Sequence, residues 1–258
     1  YSVEHEARTA PTGAWAIVGR RVRGPILAGL ITRDKAIMIT PGQVEQNSFN
    51  SAMLVLPDGA MSAPADKLQL LWFGEMVPGG AYLPWLRRLF QKSGGLLPGT
   101  EPRALVLPRA DAPALRMAVL NCYEDTLAPI GRTLVDELAP NLLVNITNDA
   151  WFHGTAESEL HARLAAMRAI ELRLDLVRAV NLGVASWIDA AGVVRARYAG
   201  AEPEVLMATP ALREGARTVY ARVGDAPLRL LFAAAIAFWV WRARNARGAP
   251  ETLRSADP

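Results

Sequence analysis

Five short apolar runs, each bounded by polar or turn-forming residues, dominate the first two hundred residues of the chain. They cover residues 25–31, 52–56, 117–121, 142–146 and 184–188. Runs of this length are typical of buried β-strands. Turn signals rich in glycine and proline separate them, such as Pro57-Asp58-Gly59 and Pro78-Gly79-Gly80. The pattern therefore predicts a domain with several buried strands.

The pattern changes to a helical period between residues 157 and 174. Apolar side chains recur there every three or four positions, at Leu160, Leu164, Met167, Ile170 and Leu174. This spacing predicts one amphipathic helix. Strands mixed with helices are typical of a layered α/β domain. We assign this domain to residues 1–200 and a linker to residues 201–225, where the pattern is weakly periodic.

A charge-free segment, residues 230–241, lies within a predicted helix over residues 226–245. A membrane span needs about 20 mostly apolar residues, so on length alone a buried or interfacial helix fits equally well. Arg229 before the segment, Trp239 and Trp241 at its end, and Arg242 and Arg244 after it favour a transmembrane helix. Arginine-rich flanks tend to stay cytoplasmic, which places the preceding domain on the far side of the membrane. Residues 246–258 form a polar tail.

The composition excludes several classes of protein. Of the 258 residues, 51% are hydrophobic and 21% are charged, which argues against a disordered chain. A net charge of +3, with no basic run interleaved with aromatic residues, predicts no nucleic-acid partner. A single cysteine cannot form an internal disulfide. Because His5, His153 and His161 lack ligand spacing with acidic residues, the sequence predicts no metal site.

The single cysteine, Cys122, follows the apolar run 117–121 and precedes Tyr123, Glu124 and Asp125. A thiol at a strand's end, beside carboxylates that could take or orient its proton, is typical of a nucleophile. A buried core cysteine is the alternative, since free cysteine is among the most buried residue types. This segment alone leaves both interpretations open.

Two other segments also combine polar and apolar residues. Lys67 stands in apolar company in residues 66–78, where a lysine either extends to water or is held as a functional cation. Asn148 and Asp149 follow the run 142–146, where they could simply make a turn. Taken singly, a solvated lysine and a turn are the simpler interpretations.

Taken together, the three segments resemble the carbon–nitrogen hydrolase (nitrilase) superfamily, and most closely the apolipoprotein N-acyltransferases of bacterial membranes. The likeness rests on Asp66-Lys67, Phe73-Gly74-Glu75, Val77-Pro78, Cys122-Tyr123-Glu124-Asp125, Asn148-Asp149-Ala150-Trp151-Phe152, His161 and Arg168-Ala169-Ile170-Glu171. It runs from about residue 25 through the C-terminal apolar helix. The resemblance implies an α/β fold, specifically a nitrilase-like αββα sandwich followed by that helix.

The resemblance also implies catalysis of the Glu-Lys-Cys type, without a cofactor. Cys122 would be the nucleophile, and Lys67 would stabilise the oxyanion. The general base would be Glu6, with Glu4 as the alternative, because both lie in the early segment where the family carries its glutamate. The remaining matched positions would support the site (Glu75, Tyr123 and Glu124) or shape the substrate pocket (Trp151 and Phe152).

The activity implied is that of a membrane-attached acyltransferase. It would move a fatty acyl group from a phospholipid donor, through a cysteine thioester, to the N-terminal amine of a lipoprotein acceptor. The resemblance places it in the bacterial inner membrane with its catalytic domain on the periplasmic side. A nitrilase-like amidase acting on a small amide, and a conjugal-transfer or scaffold homologue without this activity, are the alternatives. Because the family's N-terminal transmembrane helices have no counterpart here, the chain is either a fragment or a divergent member with one anchor.

Overall fold

The computed structural model describes residues 2–9, 24–40, 43–80, 82–90, 95–152, 154–200, 202–214 and 218–247. Four strands form the first sheet, in the order β1 (Ser2–Glu4), β2 (Ile26–Arg33), β5 (Ser48–Val55) and β6 (Ala65–Asp66). β1 is parallel to β2, and the other pairs are antiparallel. A hairpin of β3 (Ile37–Thr40) and β4 (Gln43–Glu45) lies between β2 and β5 in the chain.

Six strands form the second sheet. They are β7 (Leu105–Leu107), β8 (Leu115–Asn121), β9 (Leu142–Asn148), β10 (Leu176–Asn181), β11 (Ala185–Ile188) and β12 (Val194–Tyr198), and their order in the sheet follows the chain. The central strands β8, β9 and β10 are parallel. Their carboxyl ends therefore share one edge of the sheet, which is where open α/β sheets bind ligands. Cys122, Asp149 and Leu182 are the residues that follow these three ends.

Five helices complete the described chain: α1 (Pro84–Leu89), α2 (Ala128–Leu138), α3 (Glu157–Leu172), α4 (Val219–Val223) and α5 (Ala226–Arg247). α2 and α3 pack on one face of the six-stranded sheet and share with it a core that includes Leu134, Ala165 and Leu176. A second core, which includes Leu54 and Val119, lies between the two sheets. The layered α/β arrangement of a nitrilase-like fold is thereby confirmed.

The five predicted strands are all present, within β2, β5, β8, β9 and β11. The predicted helix over residues 157–174 is α3, which ends at Leu172 because Arg173 adopts a left-handed conformation with φ = 55°. β10 was not predicted, since its apolar residues follow the helix without a Gly or Pro signal between them.

The segment predicted as a linker packs against the domain. The Ala211 N–H donates to Asp175 Oδ2 at 3.0 Å, and Leu212 packs on the core between the sheets. α4 contributes the buried Ala221 to the core under α2 and α3. α5 covers the predicted apolar helix, and residues 226–245 are long and apolar enough to cross a membrane, with none of that stretch buried against the described chain. Residues 248–258, most of the predicted tail, lie outside the described residues.

Candidate active site

Cys122 lies at the carboxyl end of β8 and begins a short 3₁₀ turn, Cys122–Thr126, called here the Cys122 turn. Its φ of 54° lies in the left-handed region, which few non-glycine residues adopt. Such conformations persist only where the surroundings enforce them, and they are frequent at active sites. The buried Asn145 provides part of that enforcement, because its Nδ2 donates to the carbonyl oxygens of Leu120 at 2.9 Å and Cys122 at 2.8 Å.

The Glu124 carboxylate ties the Cys122 turn to the loop that carries Lys67. Its Oε1 accepts hydrogen bonds from the backbone N–H groups of Leu68 at 2.7 Å and Gln69 at 2.8 Å. Its Oε2 accepts from the N–H of Asn121 at 2.8 Å. Burial raises the pKa of Glu124 to about 7, although these donors and the charge of Lys67 favour the ionised form. Glu124 therefore connects two segments that are far apart in the chain.

Lys67 follows β6 and is buried, with 1% of its surface exposed. A buried ammonium is costly unless it is paired. Glu75 provides the pair, since Lys67 Nζ lies 2.7 Å from Glu75 Oε2. Glu75 is held in turn by Asn50 Nδ2, which donates to Oε1 at 3.1 Å, and by the Leu71 N–H, which donates to Oε2 at 2.8 Å. The loop thus presents a fixed cation with its counter-ion.

The ring of Tyr123 links this cation to the nucleophile turn. Lys67 Nζ stands 4.9 Å from the ring centroid, within the range of a cation–π contact. The Tyr123 hydroxyl donates to the Leu70 carbonyl oxygen at 3.0 Å, and burial raises the pKa of Tyr123, so the phenol stays protonated. Because Tyr123 follows Cys122 directly, the contact holds the charge of Lys67 beside the Cys122 turn.

Asp66 fixes the backbone next to Lys67. His5 Nε2 lies 2.8 Å from Asp66 Oδ2, and Ser51 Oγ donates to Asp66 Oδ1 at 2.5 Å. The backbone of Gly99 packs against Asp66, and its N–H donates to the Lys67 carbonyl oxygen at 2.8 Å. A Cβ atom at Gly99 would lie 2.8 Å from Asp66 Cβ, so only glycine permits this approach. Lys67 is therefore constrained through its backbone as well as its side chain.

One cavity of about 1300 Å³ joins these groups, and Lys67, Glu75 and Cys122 all line it. Trp151 and Phe152 line it too, and Trp151 is 84% exposed. A typical small-molecule pocket has a volume of about 300 to 1,000 Å³. This cavity is therefore larger than a small amide requires.

Backbone strain is concentrated around the same cavity. Five non-glycine residues have a positive φ in the part of the chain that the structure describes. Three of them, Phe73, Cys122 and Leu182, line the cavity. Each lies at the end of a strand or in a tight turn, so the fold holds unusual backbone conformations where the candidate chemistry would occur.

The structure brings together most of the predicted site residues. Lys67, Glu75, Cys122, Trp151 and Phe152 line the cavity, and Tyr123 and Glu124 belong to the Cys122 turn.

The two predicted base candidates do not join them. Glu6 is 72% exposed on its side chain and lies 3.3 Å from Lys35 Nζ, and Glu4 is exposed at the end of β1, paired in register with Arg33. Neither lines the cavity. The physical reason is the register of β1 on β2. Glu4, the last residue of β1, pairs with Arg33, which lies beyond Ile31, the last β2 residue that lines the cavity.

Several site residues escaped the sequence analysis. Asn50 holds Glu75, and Asn145 holds the Cys122 turn. Each interrupts a strand of mostly buried residues, which is a signal that could have found them.

Asp149, Glu157 and His161 offer ligand atoms that all lie within 4.8 Å of one another, a spacing that could hold a metal ion. Arg178, however, lies 3.9 Å from Asp149 Oδ2, and its positive charge would compete with a cation. This group is better suited to an ion-pair cluster.

Comparison with known proteins identifies related sequences. The profile of the carbon–nitrogen hydrolase family matches residues 17–218. An apolipoprotein N-acyltransferase of Geobacter metallireducens is 37% identical over 177 residues, which are 69% of this chain and 33% of that protein. One from Bradyrhizobium diazoefficiens is 36% identical over 198 residues, 76% of this chain and 35% of that protein. The chain spans about a third of the length of these relatives. The crystal structure of an amidase from Nesterenkonia sp. is 18% identical, with a TM-score of 0.47, and the match covers 79% of this chain and 66% of that one.

Proposed function

The chain belongs to the carbon–nitrogen hydrolase family, and we propose that it carries the catalytic domain of a membrane-attached apolipoprotein N-acyltransferase. In this proposal it moves a fatty acyl group from a phospholipid to the N-terminal amine of a lipoprotein. The observation that carries the proposal is the meeting of Cys122 with the buried Lys67–Glu75 pair in one cavity of about 1300 Å³. The curated relatives support the choice of reaction.

In the first step the Cys122 thiolate attacks the ester carbonyl of the phospholipid. A carbon–sulfur bond forms, the ester carbon–oxygen bond breaks, and the proton given up by the thiol passes to the oxygen of the departing lysophospholipid. The thiolate is the reactive form of cysteine. Lys67 also stabilises the negative charge that develops on the carbonyl oxygen. Glu75, paired with Lys67 at 2.7 Å, holds that ammonium in place.

In the second step the amine of the acceptor attacks the thioester. A carbon–nitrogen bond forms, the carbon–sulfur bond breaks, and the proton lost by the amine passes to the released thiolate, which regenerates the Cys122 thiol. The Glu-Lys-Cys pattern of the family assigns proton transfer to an early glutamate. The positions of Glu6 and Glu4 do not support either as that base, so the proposal rests on Lys67 and Cys122.

The surroundings of the cavity favour an acyl chain over a small amide. Trp151 is exposed at the cavity, Phe152 stands beside it, and Leu71 and Phe73 add exposed apolar surface. Exposed aromatic residues suit a membrane interface. In this proposal α5 anchors the chain in the bilayer and the domain lies on the periplasmic side, which the arginines at the end of that helix support.

Acyl-enzyme trapping tests the proposal. The chain is incubated with phospholipid carrying a labelled acyl group, and a hydroxylamine-sensitive adduct is sought by mass spectrometry. We expect an adduct on Cys122, the single cysteine, and none in Cys122→Ala. Cys122→Ser should lose activity by several powers of ten, because a serine hydroxyl without a histidine base is a weak nucleophile.

Two matched lysine substitutions separate the role of charge at the site from a general effect. Lys67→Met should slow adduct formation by about 10²-fold or more. Lys35→Met makes the same change at an exposed lysine and should leave the rate unchanged.

An adduct that persists in Cys122→Ala would refute the proposal. Ammonia release from small amides, without transfer from phospholipid, would favour an amidase instead.

A further inference from the structure

Four charged side chains are buried together behind the Cys122 turn: Asp125, Asp149, His161 and Arg178, called here the buried charge cluster. Asp125 belongs to the Cys122 turn itself. Asp149 begins a second short turn, Asp149–Phe152, called here the Trp151 turn, whose aromatic residues line the cavity. His161 comes from α3 and Arg178 from β10. The cluster therefore draws on four separate elements.

Each of the two basic residues bridges the same two carboxylates. His161 Nε2 lies 2.7 Å from Asp125 Oδ1, and its Nδ1 lies 3.1 Å from Asp149 Oδ1. Arg178 repeats the pattern at longer range, with Nη1 3.6 Å from Asp125 Oδ2 and Nη2 3.9 Å from Asp149 Oδ2. One carboxylate lies on the nucleophile turn and the other on the aromatic turn. Both bridges thus join the same two parts of the site.

The four members of the cluster carry two positive and two negative charges, and the half-buried carboxylate of Glu157 lies beside them, within 4.8 Å of the facing atoms of Asp149 and His161. Both ring nitrogens of His161 face carboxylates, so both must donate and the ring is cationic. Burial alone would lower the pKa of His161, but the hydrogen bonds to Asp125 and Asp149 raise it to about 10. Two positive and two negative groups then share one buried site. Removing one member of such a set leaves an uncompensated buried charge, whereas the complete set fixes a particular geometry.

The surroundings of Asp149 leave it little freedom. Thr147 Oγ1 donates to Asp149 Oδ1 at 3.0 Å. A Cβ atom at Gly183 would lie 2.7 Å from Asp149 Oδ2, so the Gly183 backbone, which follows β10, packs closely against this carboxylate. A shift of Asp149 would therefore move the Trp151 turn that it begins.

We propose that His161 and Arg178 are positioning residues. By bridging Asp125 to Asp149, they fix the position of the Cys122 thiol relative to the apolar wall formed by Trp151 and Phe152. The inference rests on the proposed function, since it concerns the same nucleophile and pocket. Their effect on chemistry is indirect: they set where an acyl chain lies relative to the sulfur.

Alkylation of Cys122 reports the position of the sulfur relative to the apolar wall, and it does not require acyl transfer. The rates with N-hexyl iodoacetamide and with iodoacetamide are compared, and labelling of the single thiol is followed by mass spectrometry. In both reactions a carbon–sulfur bond forms, iodide leaves and the thiol proton passes to solvent. Burial of even part of the hexyl chain should make the wild type prefer the hexyl reagent by about tenfold.

Two variants break the bridge. Asp149→Asn removes one carboxylate, and Asp149→Asn/His161→Gln removes a carboxylate together with one cation, which restores the charge balance and protects folding. We expect the hexyl preference to fall by about fivefold or more in both, because the apolar wall no longer keeps its position relative to the sulfur. Circular dichroism checks that each variant is folded.

Asp175→Asn is the matched control. Asp175 is also buried and is ion-paired with Arg213, and it accepts a hydrogen bond from the indole N–H of Trp187, but it belongs to neither the Cys122 turn nor the Trp151 turn. It should lower stability without changing the hexyl preference.

The inference is overturned if the folded variants keep the wild-type preference, if Asp175→Asn loses it equally, or if the wild type shows none. Failure of phospholipid labelling with an intact alkylation pattern would count against the proposed function alone.

Discussion

Glu124→Gln is the substitution that tests most directly how the site is assembled. The change keeps the size and shape of the side chain and removes only its charge and one acceptor. The Gln oxygen can still accept from the N–H groups of Leu68 and Gln69, which meet Glu124 Oε1 at 2.7 and 2.8 Å. The new amide NH₂ would then face the N–H of Asn121, where Oε2 now accepts at 2.8 Å. Two donors would oppose each other in a buried site.

The size of the effect follows from these contacts. A buried donor left without an acceptor costs about 1 to 3 kcal/mol, and the two remaining bonds lose the extra strength that a charged acceptor gives. We therefore expect the free energy of unfolding to fall by about 1 to 3 kcal/mol. Because burial raises the pKa of Glu124 to about 7, the ionised carboxylate already carries a burial cost at pH 8 that Gln removes, so the fall should be smaller at pH 8 than at pH 5. The preceding residue, Asn121, should shift with the nucleophile, so acylation of Cys122 should slow as well.

Urea unfolding at pH 5 and pH 8 measures the stability change, and acyl-adduct formation measures the rate. Glu214→Gln is the matched control, because Glu214 forms an exposed pair with Arg116 at 3.0 Å and such pairs contribute about 0 to 1 kcal/mol. If Glu124→Gln loses no more stability than this control, the hydrogen bonds do not connect the two loops as argued. An unchanged acylation rate in a destabilised variant would show that the connection matters for folding only.

Two further predictions concern the buried charge cluster and the C-terminal helix. Because the folded-state pKa of His161 is raised to about 10 from 6.5, the stability it contributes is complete below pH 6.5 and is lost as pH rises towards 10. The loss should be on the order of 4 kcal/mol in urea titrations at several pH values, and His161→Gln should remove this dependence; a parallel curve in that variant would contradict the assignment. α5 should retain the protein in membranes after carbonate washing, while a chain ending before α5 should be released, and release of both forms would rule out a spanning anchor.

Much of the architecture could be predicted from the sequence because burial imposes local patterns. The apolar runs that became β5, β8 and β9 are short enough to be strands, and the three-to-four spacing over residues 157–174 is that of α3. Lys67 and Cys122 could also be singled out, since each stands in a motif that matches the family. These conclusions need only residues that are close together in the chain.

The geometry of the site could not be predicted in this way, because it depends on how strands are ordered and registered. Glu6 was placed at the site by its position in the chain, yet the parallel register of β1 on β2 carries it past the cavity to Lys35. His5, one residue earlier, instead reaches Asp66 beside Lys67.

The same limit applies to the buried charge cluster. Asp125 and Asp149 lie on different turns, and nothing in the sequence shows that His161 and Arg178 would meet both of them. The sequence by itself determined five of the strands, the helices α3 and α5, and the chemically distinctive side chains, because local patterns and motifs reveal these. The tertiary structure alone decided which charges share a site, since the parallel order of β8, β9 and β10 brings distant residues to one edge, where their charges must balance out of water.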